Sequence, residues 1–291
     1  MSQHYGRSRL LQTITFCLVG FSTTAFAEKT PRIVTVGGAS TEIVFALGSG
    51  DQVIAVDLSS TYPAQVRQLP QVGYIRSVSP EGILSMGPDL IITTETLGPP
   101  AAKEMMKQIE LPVVWLPEPS SYQTLETSVN SVAEKLNKTD EAKSILTKVS
   151  KQIDDAKTNA AGWSSTPTVL FFLQPPGNGR PGMAAGAESR ADSLILMAGG
   201  SNAGADFKGF KEVSAESIVE MNPDVILIGL SPGHGGTPES VEEVKASPAL
   251  SAVKAVNSGH VYGVPLDDLN FGPRLGDAVT RWNGLLAPVA Q

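Results

Sequence analysis

A fourteen-residue segment that occurs twice constrains the fold of this chain more than any other feature. Residues 79–92 (SPEGILSMGPDLII) and residues 214–227 (SAESIVEMNPDVIL) align without gaps at an offset of 135 residues, and seven of the fourteen positions are identical. Stacked repeat proteins repeat every roughly 20–50 residues, many times over. A unit that recurs once, at this much larger offset, therefore predicts two similar lobes.

Each copy of the segment predicts a short helix that is followed by a buried strand. Ser79 and Ser214 are suitable N-caps, and Pro-Asp ends the helix before an apolar run. Glu81 and Glu216 fall in the first turn, where the helix dipole alone favours a carboxylate. Because the two carboxylates are equivalent, they are also suited to a two-fold symmetric partner, and both interpretations stay open here.

The first 27 residues have the pattern of a secretory signal peptide. Arg7 and Arg9 precede the mostly apolar residues 10–21, and Ala-Phe-Ala at residues 25–27 matches a cleavage site. The apolar run is too short to span a membrane. Cys17 follows Phe16 rather than a small residue, so we expect export without a lipid anchor.

The remaining 264 residues contain no cysteine, so core burial rather than disulfides must stabilise the exported fold. Without Arg7 and Arg9, 20 basic residues face 29 acidic ones, a net charge of −9. This acidic balance argues against nucleic acid as a partner.

Strand and helix patterns alternate through both halves of the chain, which predicts an α/β fold of two Rossmann-like lobes with parallel sheets. Residues 139–161 show helical spacing of apolar residues, which predicts a helix about 34 Å long. Because it lies between the two halves that carry the repeats, we interpret it as a stiff connector. We therefore predict a first lobe at residues 28–138, the connecting helix at 139–161 and a second lobe at 162–291. Residues 174–186 are rich in Pro and Gly and are predicted to be a loop.

Tyr74 and Arg76 stand two positions apart in a predicted loop. Ferric iron and a nearby guanidinium both favour the phenolate form of tyrosine, so this pair suits the binding of ferric iron. From spacing alone, the alternative is a half-buried packing tyrosine beside a solvated arginine.

Other residues that could meet an anionic ligand are Arg180, Arg190 and Arg274, of which the first and last lie in or beside Gly/Pro loops. Met183 offers an apolar or thioether contact. Each arginine alone is better explained as a surface residue.

The sequence offers no catalytic motif and no conventional metal set. Beyond the signal segment it has two histidines, His234 and His260, which without cysteines cannot complete a usual zinc or copper site. No nucleophile elbow, phosphate-binding loop or H-E-x-x-H motif is present. We therefore expect a binding protein rather than an enzyme.

With these motifs in view, the chain resembles the periplasmic substrate-binding proteins of ABC importers that have two α/β lobes joined by one long helix. The resemblance rests on residues 36–57, on both copies of the repeat and on the YGVP strand at residues 262–265. The segments VGYIRSVSPEGILSMGPDL, MAAGAESRADSLILMAGGSNA and FGPR are most similar to the haem-binding branch of this type, rather than to its cobalamin and siderophore binders.

The resemblance implies that haem b is carried in a cleft between the lobes, with Tyr74 as the axial iron ligand. It implies Arg76, Met183 and Arg274 as haem-pocket residues, and we add Arg180 to this pocket because of its position in a Gly/Pro loop. Some haem-binding members place a histidine in the loop after the first strand of the second lobe, but residues 172–178 here contain none. We therefore expect one haem.

The resemblance also implies that Glu81 and Glu216 dock against arginines of a dimeric permease with its ATPase subunits. The protein is then a periplasmic monomer that is not an enzyme and binds no nucleic acid. A ferric-siderophore or cobalamin carrier is the alternative within this class. An exported enzyme or a haem-storage or haem-sensing protein are alternatives outside it, although the paired glutamates argue against a protein without a permease.

Overall fold

The first sheet is formed by four parallel strands that alternate with helices. The computed structural model describes residues 1–2, 30–177, 179–231 and 235–290. The strands are β1 (Ile33–Val36), β2 (Val53–Val56), β3 (Leu90–Thr94) and β4 (Val113–Leu116), in the order β2-β1-β3-β4. The helices of this half are α1 (Gly38–Ala46), α2 (Pro80–Ser85), α3 (Pro100–Gln108) and α4 (Tyr122–Leu136).

Helices cover both faces of this sheet, so its central strands are apolar at successive positions. Side chains of one strand alternate between two hydrophobic clusters. Ile33 packs in the cluster that contains Leu125 of α4, whereas Val34 packs in the cluster that contains Met106 of α3. The carboxyl ends of the parallel strands meet at one edge, which is where binding residues of such sheets gather.

The second sheet is mixed rather than parallel throughout. Its strands are β5 (Thr168–Gln174), β6 (Gly182–Ala185), β7 (Ser201–Asn202), β8 (Phe210–Val213), β9 (Val225–Leu230) and β10 (Val261–Pro265). The order is β10-β9-β5-β6-β8, with β7 beside the start of β5, and β6 is antiparallel to β5 and β8. The loop prediction for residues 174–186 is therefore wrong over β6. Gly182 lets this strand approach β5, since a Cβ there would lie 2.6 Å from the Phe172 ring.

The remaining helices are α5 (Thr139–Ala161), α6 (Arg190–Met197), α7 (Ala215–Met221), α8 (Pro238–Lys245), α9 (Lys254–Asn257) and α10 (Leu275–Ala290). The predicted connector is thus a continuous helix with the predicted bounds. Its apolar face shares one core cluster with β1 and β5, and Gln152 donates to Asp277 of α10 at 2.7 Å. Residues 31–291 form one compact unit, so the division into two lobes stays a prediction.

The two copies of the repeat have the same local structure. In each, the serine side chain caps the helix, and Ile83 or Ile218 is fully buried beneath it. The aspartate of each Pro-Asp pair then accepts the backbone N–H at the start of a neighbouring strand. Asp89 accepts from Arg32 before β1 at 3.0 Å, and Asp224 accepts from Thr168 of β5 at 2.9 Å. Three of the seven identical repeat positions, the serine, the first isoleucine and the aspartate, thus have a structural role.

Among the described residues, no helix is both long and apolar enough to cross a lipid bilayer. The predicted signal peptide, apart from its first two residues, lies outside the described part of the chain, as do Cys17 and His234.

Candidate functional site

Tyr74 lies at the carboxyl edge of the first sheet, where a one-turn 3-10 helix (Ile75–Ser77) follows the loop after β2. The side chain of Ile75 is buried, whereas Tyr74 and Arg76 on either side of it are exposed. Backbone bonds hold the turn: the Ser77 N–H donates to Tyr74 O at 2.7 Å, and the Gly98 N–H donates to Ile75 O at 2.9 Å. Tyr74 is 44% exposed and is therefore available to a ligand.

A buried carboxylate, Asp57, fixes the position of this turn. Asp57 follows β2 and is fully inaccessible to solvent. Its two oxygens accept five hydrogen bonds of 2.6–3.2 Å, from Gly37 N, Ser59 N, Ser59 Oγ, Ser60 Oγ and Ile75 N. Because one anion ties the loop after β1 to the backbone beside Tyr74, the phenol is carried on a rigid support.

An arginine from the second half of the chain reaches the same region. Arg190 is the first residue of α6, which Ser189 caps through the N–H of Asp192. Its guanidinium lies 3.6 Å from the carboxylate of Glu118, in the segment after β4, and donates to Leu269 O at 3.5 Å. Burial lowers the pKa of Arg190, Glu118 opposes this, and the charge of Arg76 lowers it further. Tyr74 raises this pKa, so Arg190 is close enough to Tyr74 and Arg76 to interact with both electrostatically.

Arg274, a predicted pocket residue, forms an ion pair with the buried Glu42 of α1. The guanidinium donates to both carboxylate oxygens at 2.7 and 3.0 Å, and Asn270 donates to the same carboxylate at 3.3 Å. The ring of Tyr62 lies 3.9 Å from the guanidinium carbon. Burial raises the pKa of Glu42, and Arg274 opposes that rise. Desolvation of Arg274 lowers its pKa, but the hydrogen bond and charge of Glu42 help to raise that pKa above its ordinary value. Contact of Arg274 with a ligand stays a prediction.

The structure groups Arg180 with a different set of residues. Together with Glu216 and Glu243, it lines a cavity of about 740 Å³ on the second half of the chain. Met183 is half-buried on β6 opposite Glu212 of β8. No contact recorded among the described residues joins either side chain to Tyr74, so their roles in a pocket also stay predictions.

Glu81 and Glu216 occupy equivalent, fully exposed positions in the first turns of α2 and α7. The side chain of Ser79 donates to Glu81 at 2.7 Å, and this hydrogen bond lowers the pKa of Glu81. Ser214 lowers the pKa of Glu216 in the same way. Both carboxylates therefore remain ionised to lower pH than an ordinary glutamate.

Sequence reasoning did not identify three residues that shape this region: Glu42, Asp57 and Glu118. Asp57 directly follows a buried strand, a position that could have indicated a loop-anchoring carboxylate. The partners of Glu42 and Glu118 are 232 and 72 residues away along the chain, and no local signal predicts them. In the described ranges, no group of three or more His, Cys, Asp or Glu side chains could hold a metal ion.

This fold and site define a substrate-binding protein of a transport system, and the chain belongs to the periplasmic binding protein family, whose model matches residues 33–267. Its fold is similar to that of the periplasmic heme-binding protein RhuT from Roseiflexus sp. RS-1. The two chains are 32% identical with a TM-score of 0.80, over 90% of this chain and 100% of that one.

Two further relatives are named after different ligands, heme and vitamin B12. The periplasmic heme-binding protein BhuT, in complex with two hemes, is 29% identical with a TM-score of 0.79, over 90% of this chain and 99% of that one. The vitamin B12-binding protein of Vibrio parahaemolyticus is 27% identical over 208 residues, which are 71% of this chain and 73% of that protein. Family and relatives are thus transport proteins that bind substrates.

Proposed function

We propose that this protein is a periplasmic carrier that binds ferric haem and delivers it to an ABC permease in the inner membrane. The observation that supports this most is the exposed Tyr74, which projects beside Arg76 from a turn that the buried Asp57 anchors. A tyrosine that served only packing would be covered, and a loosely held one would make a poor ligand.

The chemistry follows from the two neighbouring side chains. A phenol ordinarily has a pKa of about 10, so it is a weak ligand at neutral pH. Ferric iron and the guanidinium of Arg76 both stabilise the phenolate, which makes Tyr74 an anionic axial ligand. Haem is here the cargo rather than a resident cofactor. We propose one haem per chain, because the segment 172–178 provides no histidine as a second ligand.

The same proposal assigns a docking role to Glu81 and Glu216. They are matched, exposed carboxylates on equivalent helices, and the hydrogen bonds from the capping serines keep them ionised. A permease dimer with one arginine per subunit would meet one carboxylate from each half of the carrier. The carrier itself acts as a monomer and catalyses no reaction.

A second candidate function is the carriage of cobalamin or a ferric siderophore. The vitamin B12-binding relatives favour it, because their identity to this chain is comparable to that of the heme-binding neighbours. These ligands do not need a phenolate at the cleft, whereas the haem proposal does.

Titration of the purified protein with hemin, a ferric siderophore and cobalamin, followed by absorbance, separates these functions. We expect a ferric spectrum of the tyrosinate type with hemin. Tyr74→Phe removes this spectrum and lowers affinity by on the order of 100-fold, since even outer-shell partners of a metal contribute about 10–100-fold. Tyr62→Phe is a matched control, because Tyr62 is similarly exposed, at 45%, and keeps its ring against Arg274. Saturation by cobalamin or the siderophore, but not by hemin, would refute the haem assignment.

A further inference from the structure

Arg190 is an arginine whose charge is incompletely satisfied. A guanidinium has five N–H donors. Within the described part of the chain, those of Arg190 meet one carbonyl at 3.5 Å and one carboxylate oxygen at 3.6 Å, both at the long end for a charged pair. Its side chain is only 29% exposed, so water can satisfy the remaining donors in part only. A partly buried cation with such loose contacts favours a better-placed anion.

Glu118 can separate from Arg190 at little cost, because its side chain is largely exposed to water. Its side chain is 62% exposed, in the segment after β4, and its carboxylate can be hydrated without rearrangement of the core. An ion pair with one exposed partner typically contributes less than a factor of about 5 to an equilibrium constant. The Arg190–Glu118 contact is therefore weak enough for a competing carboxylate to replace it.

We propose that Arg190 receives a carboxylate of the ligand and that Glu118 holds this position only while the site is empty. This inference rests on the proposed function and adds a specificity-determining pair to it. The planar guanidinium can bind a carboxylate through two parallel hydrogen bonds, which Glu118 does not form. The class of ligand selected is a porphyrin with free acid groups, such as one that bears propionates.

The neighbouring charges support this assignment. Burial is the main reason that the pKa of Arg190 is lowered, and the nearby Arg76 lowers it further. A ligand carboxylate at Arg190 would oppose both effects, because a nearby negative charge stabilises the charged guanidinium. Arg76 and Tyr74 come from the first half of the chain and Arg190 from the second, so the ligand would join the two.

The test compares hemin with hemin dimethyl ester, in which both carboxylates are blocked. We expect Arg190→Gln to weaken hemin binding by about tenfold or more, the loss that follows when one charged hydrogen-bonding partner is removed. It should leave the affinity for the ester unchanged. Glu118→Gln should strengthen hemin binding measurably, by a factor of at most about five, because the competing anion is gone, again without effect on the ester. Arg67→Gln and Glu104→Gln, at exposed positions, serve as charge-matched controls.

The two ligands also distinguish a structural role from a recognition role. Equal weakening of hemin and its ester by Arg190→Gln would overturn the proposal, as would unchanged hemin affinity. If Arg190→Gln fails to fold, Glu118→Gln tests the proposal alone. An unchanged hemin affinity in Glu118→Gln would contradict the idea that the ligand replaces Glu118 at Arg190. A tyrosinate spectrum that persists in these variants leaves the proposed function intact, and a wild-type protein that binds no hemin refutes that function instead.

Discussion

Removal of Arg274 from its ion pair with Glu42 should destabilise the folded protein. Glu42 is only 3% exposed, whereas Arg274 is 30% exposed. Arg274→Met removes the bidentate partner and leaves the carboxylate with Asn270 as its remaining recorded donor. The loss of one partner from a buried pair costs about 3–5 kcal/mol. Because water can enter where the guanidinium was, we expect the lower end of that range, about 3 kcal/mol.

The reverse substitution should cost much less. In Glu42→Gln the amide oxygen still accepts a hydrogen bond from Arg274, and the partly exposed guanidinium can be hydrated. We expect a loss of about 1 kcal/mol, the contribution of one ordinary hydrogen bond. The buried carboxylate, rather than the arginine, is therefore the sensitive partner.

The cost of Arg274→Met should also depend on pH. Burial raises the pKa of Glu42 above its ordinary value of 4.5, and the variant lacks the two effects of Arg274 that oppose this rise. Between the unfolded and the folded pKa, the folded protein then binds more protons than the unfolded one, so stability falls as pH increases through that window. The variant should resemble the wild type most closely near pH 4.5 and lose stability progressively above it.

Thermal unfolding, followed by circular dichroism between pH 4.5 and pH 7.5, measures this effect. A loss of about 3 kcal/mol lowers Tm by about 6 °C in a chain of this size. Lys151→Met is the control, because Lys151 and Asp155 form a pair with 72% and 63% exposed side chains; it should shift Tm by about 1 °C or less. A loss in Arg274→Met that is independent of pH, or that Glu42→Gln equals, would refute the reasoning.

Three further predictions concern the docking face and the support of Tyr74. The double variant Glu81→Ala with Glu216→Ala should retain hemin affinity but fail to stimulate the ATPase of the transporter, and lost hemin binding would contradict the docking role. Ser79→Ala should raise the pKa of Glu81 toward 4.5 in an NMR titration, because its hydrogen bond is the main cause of the lowered value; an unchanged pKa would argue against that bond. Asp57→Asn should lower the free energy of unfolding by about 3 kcal/mol and weaken the tyrosinate spectrum; an intact spectrum would show that the anchor is unnecessary.

Local rules were sufficient for the helices and for much of the sheet. The serine caps, the Pro-Asp breaks and the apolar spacing of α5 all act within a few residues, so both repeat units and the connecting helix could be predicted from the sequence. Strand β6 could not, because its residues, GMAA, have neither alternation nor β-branched side chains. Its pairing with β5 and β8 is a tertiary effect.

In the candidate site too, local features could be predicted from the sequence, whereas contacts between distant parts of the chain could not. Tyr74 and Arg76 attracted notice as a pair two residues apart in a predicted loop, but their roles as iron ligand and pocket residue came from the resemblance to the haem-binding branch. The structure places both side chains on the surface of one turn. The ion pairs of Arg190 and Arg274 involve partners from the first half of the chain, and only the folded arrangement reveals them. The structure pairs Arg274 with Glu42, and the expected contact of Arg274 with a ligand stays a prediction.

The most direct test of the central claim is a crystal structure of the protein with ferric haem bound. The account predicts the phenol oxygen of Tyr74 at bonding distance from the iron, with the guanidinium of Arg76 beside it. Haem bound through another side chain, or a Tyr74 ring turned away from the metal, would contradict it.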